Sequence, residues 1–341
     1  MLQTVLREEW GFQGYVVSDC GAIGDIYQHH KIARTAEEAS ALAVKAGCDL
    51  ECGATYRALV NAVKQGLLTE ADLDRSLRRL FTARMKLGMF DPPERVPYAA
   101  IPIEVNDCAA HKQLALEAAR QSMVLLKNAE GFLPLDKTKL RRVAVIGPNA
   151  HDPIVLLGNY NGTPSSSVTP FEGIRAALPG AQVEYAKGCA IAGQSTAGFA
   201  EAVELARNAD LAVVCLGLSQ QMEGEEGQDE GVEGGARSLG DRQTLDLPGA
   251  QEALLRAVHA TGTPVVLVLL NGSAIAVNWA DQHVPAILEA WYPGQAGGTA
   301  IAEVLFGDYN PAGRLPVTFY KSVADLPPFE DYRMEGRTYR Y

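Results

Sequence analysis

The chain contains 341 residues, 47% of them hydrophobic and 21% charged, a composition that excludes disordered and fibrous proteins. Acidic residues outnumber basic ones by 41 to 30, giving a formal net charge of -11, so we expect no binding to nucleic acid or to an anionic membrane surface. At about 150 residues per domain, this length predicts roughly two domains.

The N-terminal ten residues have the pattern of an amphipathic helix. They lack the basic start, apolar stretch and small-residue cleavage site of a signal peptide. The longest apolar run of the chain, residues 264–270, has the length of a strand and is too short to span a membrane. We therefore expect no membrane-spanning segment.

Residues 1–90 alternate strand-like and helical segments. The β-rich run 14–19 and the short run 46–50 are predicted strands. Thr35 starts a capping-box pattern that predicts a helix to about residue 45, and Thr69 starts a second helix that is predicted to end at Gly88. This part of the chain is therefore predicted to have the order strand, helix, strand, helix.

A proline-dense stretch then separates this series from a second one, and we take residues 96–107 as a linker. A helix is expected around residues 112–126. The strands predicted after it are mostly continuous apolar runs, which indicates a parallel sheet covered on both faces by helices. They cover residues 143–146, 183–185, 211–216, 264–270 and 286–291.

Cysteines are too sparse in this chain for a disulfide framework. The pair Cys48 and Cys52 has no second pair of cysteines or histidines that would complete a zinc site. We therefore expect structural or free thiols and no metal. The six cysteines are Cys20, Cys48, Cys52, Cys108, Cys189 and Cys215.

Asp19 is the first candidate for a chemical role, since it ends the predicted strand 14–19. In α/β barrels, catalytic side chains project from the carboxyl ends of the strands. A helix cap or a loop hydrogen bond is the alternative role for an aspartate at this position.

A second candidate is the acidic segment that follows the predicted strand 211–216. One of its carboxyl groups could act as a general acid, because like-charged neighbours and partial burial raise a carboxyl pKa toward neutrality. A solvated loop is the alternative, and the residue order of a calcium-binding loop is missing. The acidic residues are Glu223, Glu225, Glu226, Asp229, Glu230 and Glu233.

Two other motifs are weak candidates. The turn at Gly147 lacks the second and third glycines of a dinucleotide fold, and Pro148 removes a backbone N–H that would face a phosphate. His29 and His30 have no partner serine in a G-x-S-x-G motif. Carboxylates therefore remain as the candidate chemistry, and no cofactor is expected.

Several segments along the chain resemble glycoside hydrolase family 3, and they occur in the order found in that family. The resemblance includes the segment that carries the family's nucleophile. The segments are GFQGYVVSDC (11–20), AGCDLECG (46–53), LLKN (125–128), LPL (133–135), WYPGQAGG (291–298), NPAGRLP (310–316) and DYRMEGRTYRY (331–341).

The resemblance implies an α/β fold in which the C-terminal part of a TIM-like (β/α) barrel precedes an α/β sandwich with a mostly parallel sheet. Residues 1–95 would be the last strands and helices of the barrel, residues 96–107 the linker, and residues 108–341 the sandwich domain. A complete barrel needs about 250 residues. We therefore expect this chain to be an internal fragment of a larger enzyme.

The family hydrolyses β-glycosides with retention, and the resemblance carries that role to particular residues. Asp19 would be the nucleophile. The acid/base would be Glu225, the second glutamate of an E-x-E pattern, with Glu223 as runner-up and Glu226 third. A long Gly-rich insertion before Asp241 departs from the simplest family pattern and leaves this assignment open.

The expected substrates are terminal β-xylosides or β-glucosides of plant cell-wall oligosaccharides. Cys20 follows the nucleophile as in the β-xylosidase-like branch, and Tyr160 and Asn161 are candidate rim residues that contact substrate. The resemblance also implies that the residues that hold the sugar hydroxyls lie on earlier barrel strands, outside this chain. A secreted or periplasmic location is favoured over a cytoplasmic one, and a homodimer is left open.

A non-catalytic role is the alternative function. Because most of the barrel is missing, the chain could instead be a carbohydrate-binding or interaction fragment.

Overall fold

The computed structural model of the chain divides into two compact units, Met1–Val105 (unit 1) and Asn106–Tyr341 (unit 2). Unit 1 is mainly helical, whereas unit 2 is built on a parallel sheet. The residues that the structure describes are 1–223, 242–328, 330–333 and 335–337.

The helices of unit 1 start at the capping signals that the sequence contains. The Thr35 side chain accepts a hydrogen bond from Glu38 N, and Thr69 forms a capping box with Asp72. Both predicted helices are confirmed. The helices are α1 (Ala22–Gln28), α2 (Ala36–Ala46), α3 (Leu59–Lys64) and α4 (Glu70–Lys86), preceded by a π-helical segment at Leu2–Glu9.

The predicted strands 14–19 and 46–50 pair in parallel, but only over a few residues. Val17 and Leu50 form an isolated parallel bridge, with Leu50 N donating to Val16 O at 3.0 Å and Ser18 N donating to Leu50 O at 2.9 Å. The predicted strand lengths are wrong. No other segment of unit 1, all of whose residues are described, pairs with either run to extend the ladder.

The described residues of unit 2 form a six-stranded sheet in the order β1-β6-β5-β4-β2-β3. All neighbouring strands run parallel except β1, which is antiparallel to β6. The five strands predicted from apolar runs are confirmed. The strands are β1 (Val124–Asn128), β2 (Arg142–Ile146), β3 (Gln182–Ala186), β4 (Leu211–Gly217), β5 (Val265–Leu270) and β6 (Ala286–Glu289).

Helices cover both faces of this sheet, and every residue of β4, β5 and β6 is buried. Alternate residues of the central strands belong to two separate hydrophobic clusters, such as Val268 to one and Leu267 to the other. The helices are α5 (Ala109–Ser122), α6 (Pro170–Ala177), α7 (Phe199–Arg207), α8 (Gln251–His259), α9 (Asn278–His283) and α10 (Gly297–Phe306).

Strand β1 is not among the predicted strands, because the helix expected at 112–126 includes its first three residues. Helix α5 ends at Ser122, and the chain then pairs antiparallel with β6. The Asn128 side chain closes this region by donating to Leu133 O at 2.9 Å and accepting from Leu133 N at 2.8 Å. A five-residue edge strand directly after a helix has too short a pattern to be distinguished from the helix by periodicity.

Candidate active site

Asp19 lies at the carboxyl end of the short parallel pairing in unit 1, two residues after the Val17–Leu50 bridge. It is exposed, and its Oδ1 accepts a hydrogen bond from Cys20 N at 2.8 Å. The carboxylate is therefore held toward the first turn of the following loop and is accessible to a ligand.

Cys20, the next residue, forms a disulfide bond with Cys52, and the two Cα atoms are 4.4 Å apart. The expectation of structural or free thiols is wrong for this pair, although Cys48, Cys189 and Cys215 are buried free thiols. The bonded cysteines are 32 residues apart in sequence and meet because their segments pair in parallel. Sequence spacing alone does not reveal that pairing.

A buried ionic cluster also stabilises this parallel pairing. The Asp49 side chain is fully buried and accepts hydrogen bonds from Arg7 Nη2 at 2.6 Å, Arg79 Nη1 at 3.0 Å and Val16 N at 2.9 Å. These bonds tie the N-terminal helical segment and α4 to the backbone that leads to Asp19. Removing one partner of such a cluster leaves an uncompensated buried charge.

Glu223, the runner-up acid/base, lies in the turn after β4, and each of its carboxylate oxygens accepts two hydrogen bonds. Oε1 accepts from Ser273 N at 2.8 Å and from the Ser273 hydroxyl. Oε2 accepts from Gly272 N at 2.7 Å and from the Tyr292 hydroxyl. In addition, Glu223 O accepts from Asn159 Nδ2 at 2.7 Å.

Two ionisable neighbours of Glu223, Tyr292 and Arg242, interact with its charge. Burial, together with the negative charge of Glu223, raises the pKa of Tyr292 far above its usual range, so the phenol stays protonated and donates. Burial lowers the pKa of Arg242, and the Glu223 charge opposes that shift. The Arg242 guanidinium also donates to Ala274 O.

Glu289 is a buried acid that the sequence analysis did not single out. Burial raises the pKa of Glu289 to about 8, with a smaller contribution in the same direction from the charge of Glu223. Glu289 Oε1 accepts from Trp291 N at 3.0 Å, and Oε2 accepts from Asn271 Nδ2 at 3.1 Å. The available signal was an acidic residue inside the otherwise apolar strand β6.

Tyr160 and Asn161 lie together in an exposed loop of unit 2. The φ angle of Tyr160 is 58°, in the left-handed region that costs strain for a residue with a side chain. Asn161 lines an open cavity of about 340 Å³ with Asp107, His111 and other residues of unit 2. The hydrogen bond from Asn159 to Glu223 O joins this loop to the turn after β4.

Glu225 and Glu226, the first and third choices for the acid/base, lie outside the described residues. Within the described part of the chain, no group of three or more His, Cys, Asp or Glu side chains could hold a metal ion. No helix in that part is both long and apolar enough to cross a membrane.

The turn at Gly147 has a packing role that accounts for its glycine. Its φ angle is +119°, and a Cβ atom at this position would lie 2.1 Å from Cys215 O in the neighbouring strand β4. The buried Asn149 side chain then donates to Leu218 O at 2.7 Å. The turn after β2 is therefore packed closely against the carboxyl end of β4.

The fold and these side chains define an α/β protein whose candidate chemistry rests on carboxylates. The sequence matches the Glycosyl hydrolase family 3 C-terminal domain over residues 123–341 and the Glycosyl hydrolase family 3 N terminal domain over residues 1–83. The chain therefore belongs to glycoside hydrolase family 3.

Individual relatives have related names. Probable beta-D-xylosidase 7 of Arabidopsis thaliana is 41% identical, over 100% of this chain and 44% of that protein. The periplasmic beta-glucosidase of Salmonella typhimurium is 36% identical, over 99% of this chain and 46% of that protein. The chain thus spans less than half the length of these relatives.

A solved structure resembles the fold closely. It is that of a family 3 exo-β-xylosidase in complex with a xylobiose aziridine activity-based probe. The TM-score is 0.82 at 34% sequence identity, and the match covers 93% of this chain and 40% of that one.

Proposed function

We propose that this chain is part of a larger retaining β-glycosidase that hydrolyses terminal β-xylosides. Residues 1–95 are the end of its catalytic barrel, residues 96–107 a linker, and residues 108–341 its α/β sandwich domain. The observation that carries the proposal is the placement of Asp19, an exposed carboxylate at the carboxyl end of a parallel pairing. A disulfide bond and a buried ionic cluster stabilise that pairing.

The reaction proceeds in two steps. In the first, an Asp19 oxygen forms a bond to the anomeric carbon while the glycosidic C–O bond breaks, and Glu225 gives its proton to the departing oxygen. In the second, Glu225 takes a proton from a water molecule whose oxygen attacks the same carbon and releases Asp19. Two carboxyl groups about 5–5.5 Å apart are required for this retaining mechanism.

Substrate contacts are assigned to Cys20, Tyr160 and Asn161. The β-xylosidase names among the relatives favour xylosides, while the β-glucosidase of Salmonella typhimurium keeps glucosides as the second substrate class to test. Because disulfide bonds persist in oxidising compartments, the Cys20–Cys52 bond favours a secreted or periplasmic enzyme.

Kinetics of the proposed parent enzyme on 4-nitrophenyl β-xyloside and β-glucoside test this function. Asp19→Ala should lower kcat/KM on the preferred substrate by at least about 1000-fold, because no covalent intermediate can form. The control Asp25→Ala, which removes an aspartate of α1 that is paired with His29, should change kcat/KM less than about twofold. Full activity of Asp19→Ala would refute the mechanism.

A non-catalytic role is the competing function, because unit 1 is not a complete barrel. All residues of unit 1 are described, and the strand pairing among them is a single parallel bridge. Calorimetry of this chain with xylose or glucose, beside the aryl-glycoside assay of the parent, separates the two functions. Binding without turnover by the parent would favour a carbohydrate-binding fragment.

A further inference from the structure

The carboxylate of Glu223 has a hydrogen-bond environment unlike that of a proton donor. Its two oxygens accept from two backbone N–H groups and two hydroxyls, which accounts for the lone pairs that a carboxylate directs in its plane. Hydrogen bonds donated to a carboxylate stabilise its charged form. A general acid must instead carry a proton at the start of the reaction and release it to the substrate.

The donors around Glu223 come from the carboxyl ends of neighbouring strands. Gly272 and Ser273 follow β5, and Tyr292 follows β6. Glu223 itself follows β4, and its backbone oxygen is held by Asn159 from the loop that contains Tyr160. One side chain thus connects three strand ends, and its own backbone is tied to a fourth segment.

Three ionisable side chains surround the Glu223 carboxylate. Glu289 is neutral at pH 7 because burial raises its pKa to about 8, so it adds little negative charge there. Tyr292 remains protonated and donates to Glu223. The half-buried Arg242, the first described residue after the acidic segment, has a positive charge that interacts with the charge of Glu223.

We propose that Glu223 is a positioning residue that fixes the start of the acidic segment against the ends of β5 and β6, so that Glu225, two residues further along the chain, can act as the acid/base. This inference rests on the proposed glycosidase function. It assigns the two glutamates of the E-x-E pattern to separate roles: Glu223 holds the chain in place, and Glu225 carries the proton.

Leaving-group dependence in the proposed parent enzyme tests this role. Xylobiose needs a proton on its leaving group, whereas 2,4-dinitrophenyl β-xyloside does not. Glu223→Gln should lower kcat/KM on xylobiose by about 100-fold and on the dinitrophenyl substrate by less than about threefold, since misplacement affects only the proton-transfer step. Tyr292→Phe should show the same selectivity with a loss of about 10-fold.

Conservative and matched variants separate positioning from general damage. Glu223→Asp keeps the charge and should recover part of the xylobiose activity. Glu172→Gln removes another carboxylate of unit 2 that accepts backbone and hydroxyl hydrogen bonds, from Thr169 at the start of α6, and should change both substrates less than about twofold. Tyr185→Phe is the matched control for Tyr292→Phe. If Glu223→Gln does not fold, Glu223→Asp and Tyr292→Phe carry the comparison.

Azide identifies the acid/base itself. Glu225→Ala should be accelerated by azide on the dinitrophenyl substrate with formation of xylosyl azide, and Glu223→Ala should not be. Rescue at Glu223 alone, or equal losses on both substrates in folded Glu223 and Tyr292 variants, would overturn the positioning role. If the wild-type parent hydrolyses neither substrate, the proposed function itself is wrong. That result differs from the two outcomes that would overturn the positioning role.

Discussion

Units 1 and 2 are stabilised in different ways, although both carry candidate site residues. Unit 2 buries three whole strands between two hydrophobic clusters. Unit 1 has only small clusters of buried residues, and many of its large apolar side chains are exposed. Examples are Trp10, Leu77, Phe81, Met85, Leu87 and Phe90.

The comparison shows which forces hold each candidate residue. Glu223 is positioned by a sheet that buries its own core, so its surroundings follow from packing within unit 2. Asp19 is positioned by a covalent bond and by the buried Asp49 cluster, in a unit whose hydrophobic clusters are small. Within this chain, changes to the core should therefore affect unit 2 most, and changes to covalent and ionic links should affect unit 1 most.

Paired leucine truncations provide the largest expected contrast. Leu267→Ala in β5 removes a fully buried side chain and should lower the free energy of unfolding by about 2–5 kcal/mol. Leu77→Ala in α4 removes a side chain that is 49% exposed and should lower it by less than about 1 kcal/mol. Denaturant unfolding of this chain measures both changes. Equal losses in the two variants would contradict the comparison.

Removing the disulfide bond should affect unit 1 selectively. Cys20→Ser with Cys52→Ser opens a link between residues 32 apart and should destabilise unit 1 by about 2–4 kcal/mol. Cys108→Ser, at a free cysteine of unit 2, is the control and should have little effect.

Thermal unfolding with and without reductant, followed separately for each unit, measures the disulfide effect. Reductant should lower the unit 1 transition of the wild type and leave that of the double variant unchanged. Alkylation of Cys20 and Cys52 without prior reduction would show that the bond is absent.

The buried acid in β6 should make the stability of unit 2 depend on pH. Burial raises the pKa of Glu289 from 4.5 to about 8, so between these values the folded state holds a proton that the unfolded state releases. Stability from this group is therefore complete below pH 4.5 and is lost as pH rises toward 8, on the order of 1 kcal/mol per pH unit. The charge of Glu223 contributes to the shift in the same direction.

Glu289→Gln stays neutral and should remove this part of the pH dependence. The exposed Glu184→Gln is the control and should retain it. The measurement is the free energy of unfolding from pH 5 to pH 8 for the three proteins, and an unchanged slope in Glu289→Gln would refute the assignment.

Sequence patterns predicted the parallel sheet of unit 2 well, because continuous apolar strands and hydroxyl caps are local signals. They failed for β1, whose five residues continue the preceding helix without a break in pattern. They also failed for the Cys20–Cys52 bond and for the contacts between Glu223 and Tyr292. Those contacts join residues that are distant in sequence and become visible only when the strand order is known.

The site residues show the same difference between local sequence signals and contacts that are distant in sequence. The resemblance to the family indicated Asp19 and the E-x-E pattern from contiguous segments. The burial of Glu289 and the four hydrogen bonds to Glu223 depend on the ends of separate strands, so no local pattern identifies them. The roles of Asp19, Glu225, Tyr160 and Asn161 stay predictions.

Covalent trapping of the proposed parent enzyme tests the central claim most directly. A 2-deoxy-2-fluoro β-xyloside with an activated leaving group should form a slowly hydrolysed glycosyl-enzyme, which peptide mass spectrometry can locate. The account predicts one fluoroxylosyl group on the peptide that contains Asp19, and none after Asp19→Ala. Labelling of a different carboxylate, or turnover without a trapped intermediate and with inversion at the anomeric carbon, would contradict it.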